Sequence, residues 1–173
     1  MAAAHLLRRA GVAFNTLTCV HRFNARRPLD VYRFLRGELD SRRIQVIPVV
    51  QIKGFETIAP GQWDASRLPV IGSPQARPGA PGSIVTDWSV DPDDYGYFLS
   101  RVFDEWLRKD VGLVLVNHIE TLVSQHAGLG PQMCIYSEFC GKGVAIEHDG
   151  AVYSCDHYVY PEYRLGRIAE TAL

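Results

Sequence analysis

Apolar residues along this chain fall into short unbroken runs separated by stripes at helical spacing. Residues 4–10 read as the last turns of a helix, stopped at Gly11. The run Val12 to Val20, VAFNTLTCV, is β-rich and about one buried strand long. Pro28 stands in a helix-starting position, and Leu29, Tyr32, Leu35 and Leu39 recur at helical spacing through residue 40. Ile44 to Val50, IQVIPVV, is a second apolar strand in which Pro48 marks a ladder gap or an edge. Strand, helix, strand implies parallel pairing with a right-handed crossover, and near-continuous apolar strands suit burial on both faces. Cys19, inside the first run, therefore reads as a buried core thiol ahead of a ligand.

Periodicity then lapses. Residues 53–83 carry prolines at 60, 69, 74, 78 and 81 and read as a long loop, a surface insertion near a binding face. Ile84-Val85 leads into the strongest helix signal. Asp91 is a natural N-cap, Pro92 sits at the first helical position and Asp94 favours the positive helix end. Tyr95, Phe98, Leu99, Val102, Phe103, Trp106 and Leu107 form one continuous stripe, which is core rather than a cofactor box. Gly112 ends that helix. Leu113–Val116 is another short strand or buried turn, and a short helix runs from about His118 to His126. Gly128 and Gly130-Pro131 mark a boundary. Beyond it, Asp149-Gly150 gives the clearest hairpin signal, read as a type I′ turn flanked by Val144, Ile146, Val152 and Tyr153.

Composition narrows the function class. The 173 residues suffice for one sizeable core, or a medium domain with a small appendage, and 47% hydrophobic with 21% charged residues is ordinary for a globular protein. A net charge of -1 gives no electrostatic argument for nucleic acid or an anionic membrane surface. No apolar run has transmembrane length and the N-terminus lacks the order of a signal peptide, so the expected compartment is the cytoplasm. In a reducing cytosol, clustered cysteines bind metal more often than they pair.

Three of the four cysteines lie at Cys134, Cys140 and Cys155, followed at once by Asp156 and His157. A structural zinc site or an iron–sulfur cluster wants four ligands, and only three cysteines lie here. The fourth is Cys19, or a residue beyond Leu173, or the site is open. His148 and His157 could complete a zinc site, although His148 falls in the turn. The plainer alternative is three unrelated buried thiols. Beside a metal-bound thiolate, the Asp156 carboxylate would meet a like charge and partial desolvation, which together raise its pKa toward the range of a general base. The bland reading of Asp156 is an exposed strand-end acid. Tyr153, Tyr158, Tyr160 and Tyr163 could line a peptide groove, or more simply form a small aromatic core around the hairpin.

The run EFCGKGVAIEHDGAVYSCDHYVYPEYRLGRI resembles the C-terminal region of the anaerobic sulfatase-maturating enzymes, which are radical S-adenosylmethionine (SAM) proteins. In that family a SPASM domain, which binds auxiliary iron–sulfur clusters, follows the barrel. Its opening motif is matched by Cys140-x9-Gly150-x4-Cys155, with Cys134 at the position of the upstream ligand. FNTLTCV, PLDVYRFL, IQVIPVV and TDWSVDPDDYGYFLSRVFDEW are similar to the family's last barrel units and linking helix.

The resemblance implies an α/β chain. Residues 1–127 would form the C-terminal part of a partial (β/α)6 barrel, and residues 128–173 the start of a SPASM domain. It implies SAM and [4Fe-4S] clusters as cofactors, with Cys134, Cys140 and Cys155 as auxiliary-cluster ligands and Ile47 beside the SAM adenine. Gln51 stands where many relatives have an acid. Asp156 takes the position of the base that deprotonates a cysteine or serine of an unmodified sulfatase polypeptide. A SAM-derived radical then removes a β-hydrogen, and loss of an electron, with hydrolysis for cysteine, gives Cα-formylglycine. An electron donor such as flavodoxin or ferredoxin is the further partner. The family's CxxxCxxC and its downstream cysteine set do not occur in these 173 residues, so the expectation is a segment of a longer enzyme, inactive alone. The alternatives are another SPASM-type peptide modifier, or a non-catalytic zinc-binding interaction module.

Overall fold

The computed structural model describes residues 2–54, 64, 66, 68–139 and 143–170. It divides into two compact units: Met1–Lys53 with Pro69–Gly130, and Gly54–Leu68 with Pro131–Leu173, each over its described residues.

The first unit is a parallel βαβ arrangement. Helix α1 (Ala2–Arg9) leads to β1 (Thr16–Val20), α2 (Pro28–Arg33) and β2 (Arg43–Pro48). Helix α3 (Pro92–Lys109), β3 (Leu115–Val116) and α4 (Asn117–His126) follow. The strands lie in the order β1-β2-β3, and both pairings are parallel. The helical segment after Pro28 is not uniform: α2 passes at Phe34 into a π-helical turn, Phe34–Glu38, closed by the Leu39 amide on the Phe34 carbonyl at 3.0 Å. Pro48 pairs with Val20, and the ladder bond passes on to the Val49 amide, which donates to the Val20 carbonyl at 2.8 Å.

Helix α3 forms where its end signals place it. The Asp91 carboxylate accepts from the Asp93 amide at 2.9 Å and Pro92 supplies a preset φ. Its stripe buries Phe98, Val102 and Trp106 against Val20, Tyr32, Ile44, Val46 and Val116, whereas Leu107 at the end of the stripe is 55% exposed. The Trp106 indole N–H donates to the Val114 carbonyl at 2.8 Å, so the ring is buried without an orphaned donor. At the helix end Asp110 accepts from the Tyr32 hydroxyl at 2.8 Å and from Arg36 at 2.9 Å, tying α3 to α2.

Among the described residues of this unit, the helices pack on one face of the sheet. Side chains alternate along a strand, so Ile44 and Val46 enter the core while Gln45 and Ile47 stand on the other face. The register sets Leu17 opposite Gln45 and Cys19 opposite Ile47. Cys19 is consequently exposed, not a buried core thiol, because its neighbour Val20 takes the inward position.

The second unit contains β4 (Ala145–Ile146), β5 (Ala151–Tyr153) and β6 (Arg164–Arg167) in an antiparallel sheet. Its connecting turn differs from the expected type I′ form, which needs positive φ at both central residues. Gly150 alone has it, at φ 83°, and Asp149 does not. The Gly150 amide donates to the Glu147 carbonyl at 2.8 Å and the Glu147 amide to Ala151 at 2.9 Å. His148 and Asp149 are thus the centre of the turn and glycine takes the left-handed position after it. The Asp149 side chain then accepts from the Ala151 amide at 2.9 Å, and that bond holds its carboxyl below the usual range. The tyrosines form no buried core: Tyr158 and Tyr163 pack ring to ring at 5.1 Å but stay partly exposed, and the buried residues of the hairpin are Ala151 and Val152.

Candidate functional site

Two sets of residues carry the chemistry, one in each unit. The cysteine set begins at a short 3-10 turn, Cys134–Tyr136, and ends just past β5, where the chain leaves the hairpin. Cys134 and Cys155 both carry free thiols. Cys140 lies outside the described residues.

Around Cys155 the donors converge. Its Sγ lies 3.4 Å from Asp156 Oδ1, and the His157 backbone amide donates to the same sulfur at 3.4 Å. The ligand atoms of Cys155, Asp156 and His157 all fall within 4.8 Å of one another. The His157 amide favours the thiolate. Partial burial, the bond to Asp156, and the charges of Asp156 and Cys134 outweigh it and raise the Cys155 pKa. His148 extends into solvent with its side chain 94% exposed, so it is not gathered with them.

This donor set fits an iron–sulfur cluster in its described part. Of its two described thiols, Cys155 receives a backbone N–H, and such bonds tune a cluster sulfur. It also fits a single cation of the zinc type, for which thiolate, imidazole and carboxylate are all ordinary ligands.

The second set is the face of the parallel sheet opposite the one that packs on the helices. Ile47 is half-buried there, beside Cys19 and one position pair from Leu17 and Gln45. A hollow of about 680 Å³ lies elsewhere, between α3 and α4, lined by Leu99, Phe103, His118, Ile119 and Leu122 among others, and Ile47 does not border it.

Just beyond β2 the chain makes contacts that the sequence did not announce. Residues 49–53 run beside 84–90 through Val90 N to Val49 O, Thr86 N to Gln51 O and Lys53 N to Ile84 O, at 2.8 to 2.9 Å. Gln51 accepts the Trp88 indole N–H at 3.1 Å. The one available hint was that Ile84-Val85 is apolar between stretches rich in proline and glycine.

No protein-family model matches the chain. It is 36% identical, over all 173 residues, to the serine-type anaerobic sulfatase-maturating enzyme of Bacteroides thetaiotaomicron, of which it covers 39%. It is 30% identical over 167 residues to the cysteine-type anaerobic sulfatase-maturating enzyme of Clostridium novyi, covering 95% of this chain and 37% of that one. Among solved structures, native anSMEcpe with bound AdoMet superposes with a TM-score of 0.72 at 24% identity, over 99% of this chain and 40% of that one. Native anSMEcpe with bound AdoMet and Cp18Cys peptide gives a TM-score of 0.63 at 26% identity, over 99% and 41%. The chain thus spans about two fifths of the length of the curated relatives it matches.

Proposed function

On the premise that this chain is related over its whole length to the anaerobic sulfatase-maturating enzymes, we propose that the protein carrying it oxidises a cysteine or serine of an unmodified sulfatase to Cα-formylglycine. Residues 1–127 contribute the C-terminal part of a radical SAM barrel and residues 128–173 begin a SPASM domain. The observation that carries the reading is the Asp156 carboxylate held 3.4 Å from the Cys155 thiol at the end of a hairpin. It sets a proton acceptor beside the sulfur that this scheme makes a cluster ligand.

In this scheme Cys134, Cys140 and Cys155 would hold part of an auxiliary [4Fe-4S] site, and Ile47 would line the place of the SAM adenine. When bound, these groups would supply reductive SAM cleavage, with its electron delivered by a donor such as flavodoxin or ferredoxin, hydrogen abstraction, and an acceptor for the electron left on the substrate. The chain's own tasks are to hold and to deprotonate. Asp156 accepts the proton of the target thiol or hydroxyl, which leaves an anionic heteroatom next to the carbon being oxidised and favours loss of the electron from it. The His157 amide fixes the Cys155 sulfur, and with it the place of the adjacent carboxylate.

The test uses the full-length protein with a peptide of C-x-P-x-R type. A serine peptide should lose the mass of two hydrogens, and a cysteine peptide should lose two hydrogens and also exchange sulfur for oxygen. Asp156→Asn should keep SAM cleavage and lose peptide product, so unimpaired turnover by that variant would remove Asp156 from the mechanism.

The mixed donors at Cys155, Asp156 and His157 favour a second reading, a zinc-binding interaction module. Metal analysis after anaerobic purification separates the two: iron with acid-labile sulfide supports the maturase, stoichiometric zinc without sulfide the module.

A further inference from the structure

We propose that Trp88, with its indole oriented by Gln51, is a contact residue for the target peptide at the carboxyl ends of β1 and β2; this rests on the peptide-oxidising reading above. In open α/β sheets ligands gather outside the carboxyl ends of parallel strands. The turn Thr86–Ser89 lies at that place. Its backbone is fixed to both strand ends: the Arg22 amide, just after β1, donates to the Trp88 carbonyl at 3.2 Å. The Gln51 amide, just after β2, donates to the Ser89 hydroxyl at 3.0 Å. Within the turn the Thr86 and Ser89 hydroxyls meet at 2.9 Å, and both residues are buried.

Thr86, Ser89 and Val90 therefore anchor the turn, and the Trp88 ring is not required for that. It is 49% exposed although its N–H is engaged by Gln51 Oε1 at 3.1 Å. An indole in solvent with its one polar atom already tied down is held in a single orientation, so little freedom remains to be lost when something stacks on it. Phe23, next in the chain after Arg22, is 75% exposed. Two exposed rings on neighbouring segments suit an extended peptide with apolar or planar side chains, and offer little to a small anion. Gln51 gains a task as well, because any acceptor at that position can hold the indole N–H.

The experiment uses the anaerobically reconstituted full-length protein and a fluorescein-labelled C-x-P-x-R peptide followed by anisotropy, with KM, kcat and peptide-independent SAM cleavage measured alongside. Trp88→Ala should weaken peptide binding about tenfold and raise KM in step, as truncating an aromatic anchor does. Its kcat, SAM cleavage and melting temperature should stay near those of the native protein. Gln51→Leu should lose part of the affinity, and Gln51→Glu, which keeps an acceptor, should restore it. Unchanged peptide affinity in Trp88→Ala overturns the assignment, as does a loss confined to SAM cleavage or thermal stability. If the native protein binds and oxidises the peptide while Trp88→Ala does so equally well, this inference alone falls. If the native protein does neither, the peptide-oxidising reading falls and takes this one with it.

Discussion

Glu105 shows what a buried charge does in this chain. Its side chain lies under α2, with Arg33 Nε at 3.2 Å and Lys109 Nζ at 2.9 Å. The hydrogen bond from Arg33, then that from Lys109, pulls its carboxyl down to about 2 from an ordinary value of 4.5. A depressed carboxylate stabilises the fold fully above its unfolded value, and the unfolded chain binds the proton first as pH falls. Stability is therefore expected to drop between 4.5 and about 2, and Glu105→Gln should flatten that part of a melting-temperature profile. An identical slope in the variant would show that other carboxylates govern acid unfolding. Residues of this kind were invisible in the sequence, where Glu105 and Arg33 are two polar positions 72 apart. Cys155 and Asp156 were legible because they are adjacent, and their nearness needs no fold. Cys19 was misjudged for the opposite reason: an apolar run does not say which of its alternating positions faces the helices.

Elements with explicit end signals came through best. Helix α3 begins at the cap and proline that announce it, and its stripe faces the core. Asp91→Ala should cost about 1 kcal/mol through loss of the cap, with little added by the half-exposed Arg77 pair. Asp91→Asn should recover most of it, as read from the urea midpoint. A midpoint unmoved by Asp91→Ala would mean that Pro92 and the Asp93 and Asp94 charges suffice to start the helix. The parallel pairing of β1 with β2 was equally legible from two apolar runs around a helix. The hairpin was legible in place but not in type, because Asp-Gly serves both an I′ turn and a turn followed by left-handed glycine. The contacts of residues 49–53 with 84–90 were not legible, since a long aperiodic stretch separates the partners.

At the scale of the whole molecule, the apolar surface left open is the informative quantity. Leu17, Val50, Val70, Ile71 and Leu115 are exposed by 39% to 99%, and among the described residues β1 has a strand neighbour on one side only. Exposed apolar side chains beside a ladder edge that no described strand pairs favour association. The 173-residue chain prepared by itself is expected to elute as oligomers or aggregates in size-exclusion chromatography. A monodisperse monomer would show that this surface tolerates water.

The π-helical turn at Phe34–Glu38 bears on how such a chain can change over time. One residue more than an α-turn is wound in before Leu39, and Asp40 follows in the left-handed region at φ 53°. The surplus delivers Ser41 to a fully buried place, where its hydroxyl meets Thr16 at 2.9 Å and the Arg43 carbonyl at 2.9 Å. Each residue turns a helix by about 100°, so removing one would swing this whole exit away from the strand it feeds. The segment between α2 and β2 is therefore constrained in count more than in composition. Exchanges at its exposed positions can accumulate freely, whereas a single-codon deletion there would have to be answered by a second change in length nearby.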